Sequence, residues 1–533
     1  MPLFSEVLGL ARFAAGLRAF GRETIGPEDA RRIVRERMRT REERFLELLD
    51  RAVWPRARNP FRLLLENVGA TADDVRSLVR TDGLEGALAR LQRDGVVVTW
   101  EEFKGRADAR RGSRTFRFRE SDFDNPLTRT HYVGTSGGSL GPPVRVRVDL
   151  AFQIESAPNL GLWFAEQGWG NRPLVFWTPT HTGLANRYLM CAKVGYPYRH
   201  WFAMGDMRTA LDRLRSRAVH GLAQRVLGFG APMPADLAQS ERVLEPLLRL
   251  RDAGELPLVN TSPSAAARLA QKAIARGESL EGVSFLLGAE PVTPERRASI
   301  EASGARAWPT YGTSESGWVA SQFDGAAEPD EVHVFRDAYA VVPRDPSATG
   351  AAVASGGREA SPQPMLITTL LRAAPKLLVN TEIGDSACFV RSEGSAPARR
   401  FGYDLTLHTI RSFRKLTAFG VTLAVSDLYP IVEGELPRRF GGRVGDFQLV
   451  ESQDDAGVSR LRLRVDPSVG PLDESLLRET LLDAIGAKRS FYGLMADMLR
   501  KADALEVERR PAERTAAGKV LPVVPAPARK RAA

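Results

Sequence analysis

The stretch with the most chemical promise is Trp308-Pro-Thr-Tyr-Gly-Thr-Ser-Glu-Ser-Gly317. A hydroxyl-rich turn containing glycine offers backbone N–H and O–H donors to the polar parts of a nucleotide. Its single carboxylate, Glu315, can hold a divalent cation through its oxygens. Taken alone, the same residues also describe a Tyr-Gly turn with a solvated glutamate. A segment of helical character, residues 294–303, precedes the stretch, and a polar, glycine-containing loop is expected after it.

Other stretches suit the same chemistry. In Tyr132-Val-Gly-Thr-Ser-Gly-Gly-Ser-Leu-Gly-Pro-Pro, residues Thr135, Ser136, Gly137, Gly138 and Ser139 combine glycines with hydroxyls, so backbone donors can approach an anion closely. No Gly-Lys-Ser/Thr closes the loop, so it is not a Walker sequence; the plain alternative is a hairpin loop. His181 comes after an apolar run, Leu174-Val-Phe-Trp, at a turn. There an imidazole can donate to a substrate carboxylate, or serve structure alone. The nearby Trp177, Tyr188, Tyr196, Tyr198, Trp201 and Phe202 suit an apolar pocket or plain core. Gly288-Ala289-Glu290-Pro291 ends a buried strand, where open α/β sheets place ligands. Asp385, after Gly384, can accept both hydroxyls of a ribose or cap a turn. Lys519 lies on the glycine-containing loop Thr515-Ala-Ala-Gly-Lys.

The chain has 533 residues, with 43% hydrophobic and 26% charged side chains, enough for several domains with a large core. Two cysteines, Cys191 and Cys388, exclude a disulfide framework or a multi-cysteine zinc site. Together with the lack of a secretory leader at Met1-Pro-Leu-Phe-Ser-Glu, they favour a cytoplasmic location. No apolar run reaches the ~18 residues of a membrane span. Net charge is +10. The arginines are spread along amphipathic segments with no nucleic-acid motif, so solvated helix faces are expected rather than a nucleic-acid partner. Strand and helix alternate over residues 216–330, with Arg225-Val-Leu-Gly-Phe-Gly read as a strand, and this predicts an α/β fold. The expected division is a helical N-terminal extension (1–55), a large α/β domain (56–410), a small α+β domain (411–521) and a disordered basic tail (522–533).

Taken in order, these stretches resemble the adenylate-forming superfamily of acyl-CoA synthetases, luciferases and peptide-synthetase adenylation domains. The phenylacetate-CoA ligase-like branch is the nearest likeness. The resemblance spans roughly residues 55–520. Thr135–Ser139 look like the phosphate loop. Gly288–Pro291 and Tyr311-Gly312-Thr313-Ser314-Glu315 look like the adenine- and magnesium-binding stretches. Asp385 looks like the ribose-binding aspartate, Arg411 like the hinge arginine, and Lys519 like the adenylation lysine. His181 resembles a residue near the substrate carboxylate. Two departures stand out: Val144 occupies a position where many members have lysine, with Arg145 adjacent, and the hinge Ile-Arg-Ser-Phe-Arg-Lys lacks an acidic residue.

The resemblance implies a large adenylate-forming domain with a small mobile lid. It also implies a ligase using ATP, Mg²⁺ on Glu315, and CoA or a carrier-protein pantetheine. A small-molecule carboxylic acid, aryl or fatty, would become an acyl-adenylate and then a thioester. Lys519, Glu315 and His181 would be catalytic, in a monomer or homodimer. Two alternatives are transfer to a protein thiol or an amine, and a non-catalytic member that binds nucleotide or acyl ligand. An internal acyl-cysteine is disfavoured, since both cysteines sit in apolar surroundings that raise a thiol's pKa.

Overall fold

Leu174-Val-Phe-Trp and Ser284-Phe-Leu-Leu are nearly continuous apolar runs, as strands covered on both faces must be, and Leu258-Val-Asn-Thr is buried throughout although its second half is polar. In the computed structural model they lie side by side in the interior of a twelve-stranded sheet. The structure describes residues 2–128, 132–135, 145–179, 185–204, 221–222, 224–228, 230–235, 239–289, 292, 294–344, 362–391, 397–412, 415–418, 421–453, 459–488, 496, 499–500, 505–515 and 519–524.

Numbering only the strands of this sheet, the parallel half contains β1 (Leu174–Pro179), β2 (Tyr198–Met204), β3 (Met233–Pro234), β4 (Leu258–Thr261), β5 (Ser284–Leu287) and β6 (Arg306–Thr313). The antiparallel half contains β7 (Gly317–Ser321), β8 (Val332–Val334), β9 (Tyr339–Pro343), β10 (Gln363–Thr369), β11 (Thr381–Arg391) and β12 (Leu405–Ser412). The spatial order is 3-2-1-4-5-6-7-8-12-11-10-9. Strand order therefore reverses between β1 and β4, and open α/β sheets bind ligands beyond the carboxyl ends of strands near such a switch.

Alternate residues of the parallel strands feed two cores, as a two-residue period requires. Leu174, Phe176, Leu286 and Trp308 join a cluster that also takes in Phe13, Leu17, Ala30 and Val34 from the N-terminal helices. Val175, Trp177, Val259, Phe285 and Leu287 face the other way, onto Leu244, Leu247, Leu269 and Ile300. Several helices start where the sequence supplies a cap. Thr71 and Asp74 form a capping box before Ala72–Arg93, and Ser262 accepts from Ala265 N–H ahead of Pro263–Ala275, which has proline in its first turn. A third core, from Leu428 to Val523, lies under a four-stranded sheet ordered Leu505–Arg509, Ser459–Val465, Phe447–Gln453 and Val523–Val524.

The mixed α/β class is as expected. Residues 224–227 are helical, however, against the strand expected there. Residues 308–313 belong to strand β6, leaving only Ser314–Ser316 as the turn. The chain beyond that turn is not a polar loop but β7, whose Trp318-Val-Ala-Ser side chains are buried against the hairpin partner and the core. Arg411, expected at a hinge, is in β12 opposite Ser386. Val523–Val524, expected in the tail, pair in parallel with Leu449–Val450. Among the described residues no helix is long and apolar enough to cross a membrane.

One polar residue sits awkwardly in this sheet. His333 on β8 is 1% exposed, neither ring nitrogen has a hydrogen-bond partner, and its ring packs edge-on to Phe323 at 5.5 Å. Burial pulls its pKa from 6.5 to about 4. Between those values the unfolded chain binds a proton that the fold excludes, so stability falls as pH falls through this window. The loss should approach about 3 kcal/mol by pH 4. Urea midpoints at pH 7 and pH 5 should differ in the wild type, and His333→Leu should reduce that difference.

Candidate functional site

The carboxyl ends of β5 and β6 bring several of the expected residues together. Beyond β5, a Cβ on Gly288 would come within 3.0 Å of Thr310 Oγ1, whose hydroxyl donates to Leu287 O at 2.9 Å. Ala289 comes next with φ +70°, a left-handed conformation that costs a side-chain-bearing residue of order 1 kcal/mol or more. Its carbonyl accepts from Lys519 Nζ at 3.4 Å, 230 residues away in sequence. The lysine is presented by a narrow loop: Thr515 N–H donates to Lys519 O at 2.8 Å, and Lys519 N–H donates to Thr515 Oγ1 at 3.1 Å.

At the end of β6 a bulge falls between Tyr311 and Gly312. Bulges re-aim side chains beside functional sites. Gly312 has no room for a side chain, because a Cβ there would lie 2.5 Å from Gly317 O. The turn is closed by Thr313 and Ser316, whose hydroxyls lie 2.8 Å apart, while Ser316 N–H donates to Thr313 Oγ1 at 3.1 Å. Tyr339 O–H then donates to Ser316 O at 2.7 Å. Tyr311 donates its hydroxyl to Asp385 Oδ2 at 2.9 Å, which joins the end of β6 to β11. Burial, with the charge of Asp385, pushes the Tyr311 phenol well above its ordinary value, so it stays a donor.

Glu315 is 7% exposed and accepts from Lys104 Nζ through Oε1 at 2.8 Å. Lys104 rests over the Trp100 and Phe103 rings at 4.6 and 5.0 Å and reaches Glu120 Oε2 at 3.3 Å. Lys376 pairs with Glu120 at 3.8 Å and with Asp124 at 2.8 Å. The charges thus alternate Glu315–Lys104–Glu120–Lys376–Asp124. Three acids against two lysines leave one negative charge in the chain of five. Sequence reasoning did not find Lys104: it lies 211 residues from Glu315, and nothing in Trp100-Glu-Glu-Phe-Lys marks it as a partner. Removing one partner of a buried pair costs about 3–5 kcal/mol. Lys104→Met should fall at the lower end, ~3 kcal/mol by urea unfolding, because Glu315 is not wholly closed off. Lys104→Met/Glu315→Leu should recover most of that loss.

Ser136, Gly137, Gly138, Ser139, His181, Glu290 and Pro291 lie outside the described residues. The backbone of Thr135 pairs with Arg145 in a short hairpin. Among the described residues no group of three or more His, Cys, Asp or Glu could hold a metal ion. Cys191 and Cys388 are buried, and burial pushes the Cys191 thiol up to about 12, so it is no nucleophile at neutral pH.

No protein-family model matches the chain, and no curated protein does. Solved structures with a similar chain trace include 2-hydroxyisobutyryl-CoA ligase in complex with 2-HIB-AMP and CoA in the thioesterification state. Its identity is 16% and its TM-score 0.46, over 92% of this chain and 89% of that one. Another is the anthranilate-CoA ligase AuaEII in complex with anthranoyl-AMP, with 14% identity and TM-score 0.42 over 73% and 65%. A third is McyG A-PCP complexed with phenylalanyl-adenylate, with 13% identity and TM-score 0.43 over 74% and 65%. Likenesses this slight carry no argument about activity, which must rest on the residues of this chain.

Proposed function

We propose that the protein is an adenylate-forming ligase. It activates a carboxylic acid with ATP and passes the acyl group to a thiol of CoA or of a carrier-protein pantetheine. The observation that carries this reading is the contact between Lys519 and Ala289. It sets an ammonium from the far end of the chain on the loop after β5, next to β6, which bears Tyr311, the partner of Asp385, and leads into the turn holding Glu315.

In the first step a carboxylate oxygen attacks the α-phosphorus, the bond to the bridging oxygen breaks, and pyrophosphate leaves with the electron pair. Negative charge grows on phosphate oxygens. The Lys519 ammonium offsets that growth best if it is already in place, since a preorganised charge needs no reorganisation during the step. Asp385, held by the Tyr311 hydroxyl, accepts from ribose hydroxyls, and Gly288, Ala289 and Gly312–Ser314 lie against the base and phosphates. In the second step a thiol sulfur attacks the acyl carbon, and AMP departs with the electrons of the broken C–O bond. The division near residue 411 into a large domain and a small lid belongs to the same proposal, as does the phenylacetate-CoA ligase-like branch.

Magnesium is held in nucleotide sites by one or two carboxylates together with substrate phosphates. One carboxylate, Glu315, in a cluster with a residual negative charge, fits that donor set. Bound there, the ion would neutralise developing phosphate charge. Glu120 would keep Lys104 paired if Glu315 turned toward the ion.

Carboxylate-dependent ATP–pyrophosphate exchange over a panel of aryl and fatty acids tests the first step. Exchange with one class of acid is expected. Its absence with every acid, alongside measurable ATP binding, would move the reading to a nucleotide-binding protein without turnover. AMP release with CoA, a carrier protein or an amine then identifies the acceptor.

A further inference from the structure

Arginines drawn into this protein's interior are matched by acceptors. Arg41 pairs with Glu85, Arg296 with Glu433, and Arg336 with Glu85 and Asp404. Arg44 donates to the carbonyls of Asp337 and Leu370 at 2.8 and 2.9 Å. Arg187 is the exception. It lies on the helix Ala185–Lys193, which comes after β1 at the reversal of strand order. Its guanidinium carbon stands 4.1 Å from the centroid of Trp318, the residue paired with Gly312 beside the Tyr311 bulge. Nη1 is shut off from solvent and has no hydrogen-bond acceptor. Among the described residues no carboxylate pairs with it.

Cys191, one turn along the helix, is a neutral thiol at neutral pH and offers no counter-charge. Burial draws the Arg187 guanidinium down to about 10, with Cys191 opposing, so it remains protonated at pH 7. A half-buried charge with one nitrogen sealed from solvent and no carboxylate partner among the described residues is costly to the fold. The planar guanidinium fork matches a carboxylate in two parallel hydrogen bonds, and its contact with the Trp318 ring restricts its motion in advance.

We propose that Arg187 receives a carboxylate of the acid substrate, so that the ligand completes a pair which the described residues leave open. This rests on the reading of the protein as a carboxylic acid ligase. The carboxylate can be the reacting one, or a second one on a dicarboxylic acid.

The test is ligand binding to the full-length protein without ATP, so its outcome is separate from whether exchange occurs. Benzoate, hexanoate and glutarate are titrated by calorimetry and by thermal shift, with the corresponding neutral amides as controls. The wild type should bind acids in preference to amides. Arg187→Met should weaken acid binding about 10- to 100-fold, the loss of a charge-assisted hydrogen bond. It should also raise the Tm of the ligand-free protein by a few degrees, and Arg187→Lys should retain part of the affinity. Weakening for all three acids assigns the reacting carboxylate to Arg187, whereas weakening for glutarate alone assigns a second carboxylate and a dicarboxylic substrate. The proposal is overturned if the wild type binds none of the three acids. It is equally overturned if Arg187→Met binds them as the wild type does and melts lower, as a purely structural cation–π contact would.

Discussion

Arg296→Met should lower the unfolding free energy by about 3–5 kcal/mol, the cost of stranding one partner of a buried ion pair. Arg296, on the helix Pro294–Glu301, is 1% exposed and pairs with Glu433, which is 2% exposed. Glu433 lies in the short π-helical turn Ile431–Glu435, whose neighbours Ile431 and Val432 belong to the third core. The pair therefore ties the helix after the Gly288–Ala289 loop to the unit that carries Lys519. Left alone, the Glu433 carboxylate must be protonated or drawn to water, and either weakens the junction. Arg296→Met/Glu433→Leu should recover much of the loss, because an apolar pair of similar volume can match a buried ion pair. Urea midpoints of the two variants decide the matter: equal losses in the single and double variants would mean that the charge pairing contributes little there.

Lys519→Ala should reduce pyrophosphate exchange by about 10²–10³, the usual cost of removing one preorganised charge from a transition state. The contact of its side chain with Ala289 O is long, 3.4 Å, and is made from a partly buried loop. The variant should therefore keep the wild-type urea midpoint to within about 0.5 kcal/mol. That contrast separates it from Arg296→Met, where stability falls first. Lys519→Arg should restore some exchange if charge alone matters, and little if the reach of a flexible ammonium matters. Unchanged exchange in Lys519→Ala would remove the lysine from the chemistry.

The parallel half of the sheet was legible because the buried strands at 174 and 284 are written as largely apolar runs, and the helix between 258 and 284 begins at a capping serine, Ser262. The stretch at 308–317 drew attention for its hydroxyls and glycine, yet most of it is strand. Local composition could not show that Trp318-Val-Ala would pair back on it across a bulge. The pairing of Tyr311 with Asp385 joins two positions that were noticed separately, 74 residues apart in sequence. Lys104 and Arg187 were invisible for a different reason. A basic side chain on a short helix looks like any solvated one until tertiary packing supplies, or withholds, its carboxylate. In the same way, Arg225-Val-Leu-Gly-Phe-Gly had strand-like residues, but its beginning is helical, since short apolar segments take their form from context.

Within the antiparallel half the sheet narrows at β8, a strand of three residues. Its ladders are short: Ala320 and Ser321 pair with Val334 and His333 on one side, and Leu407 and Thr406 pair with Val332 and His333 on the other. His333 takes part in both. The strands on either side of β8, β1–β7 and β9–β12, should therefore behave as two cooperative units joined by a weak seam, and native-state hydrogen exchange should report two opening free energies in place of one. As the pH is lowered toward 5, the seam amides of 332–334 and 405–407 should lose protection before those of β4 and β5. Uniform loss of protection across all twelve strands would show instead that the sheet opens as a single unit.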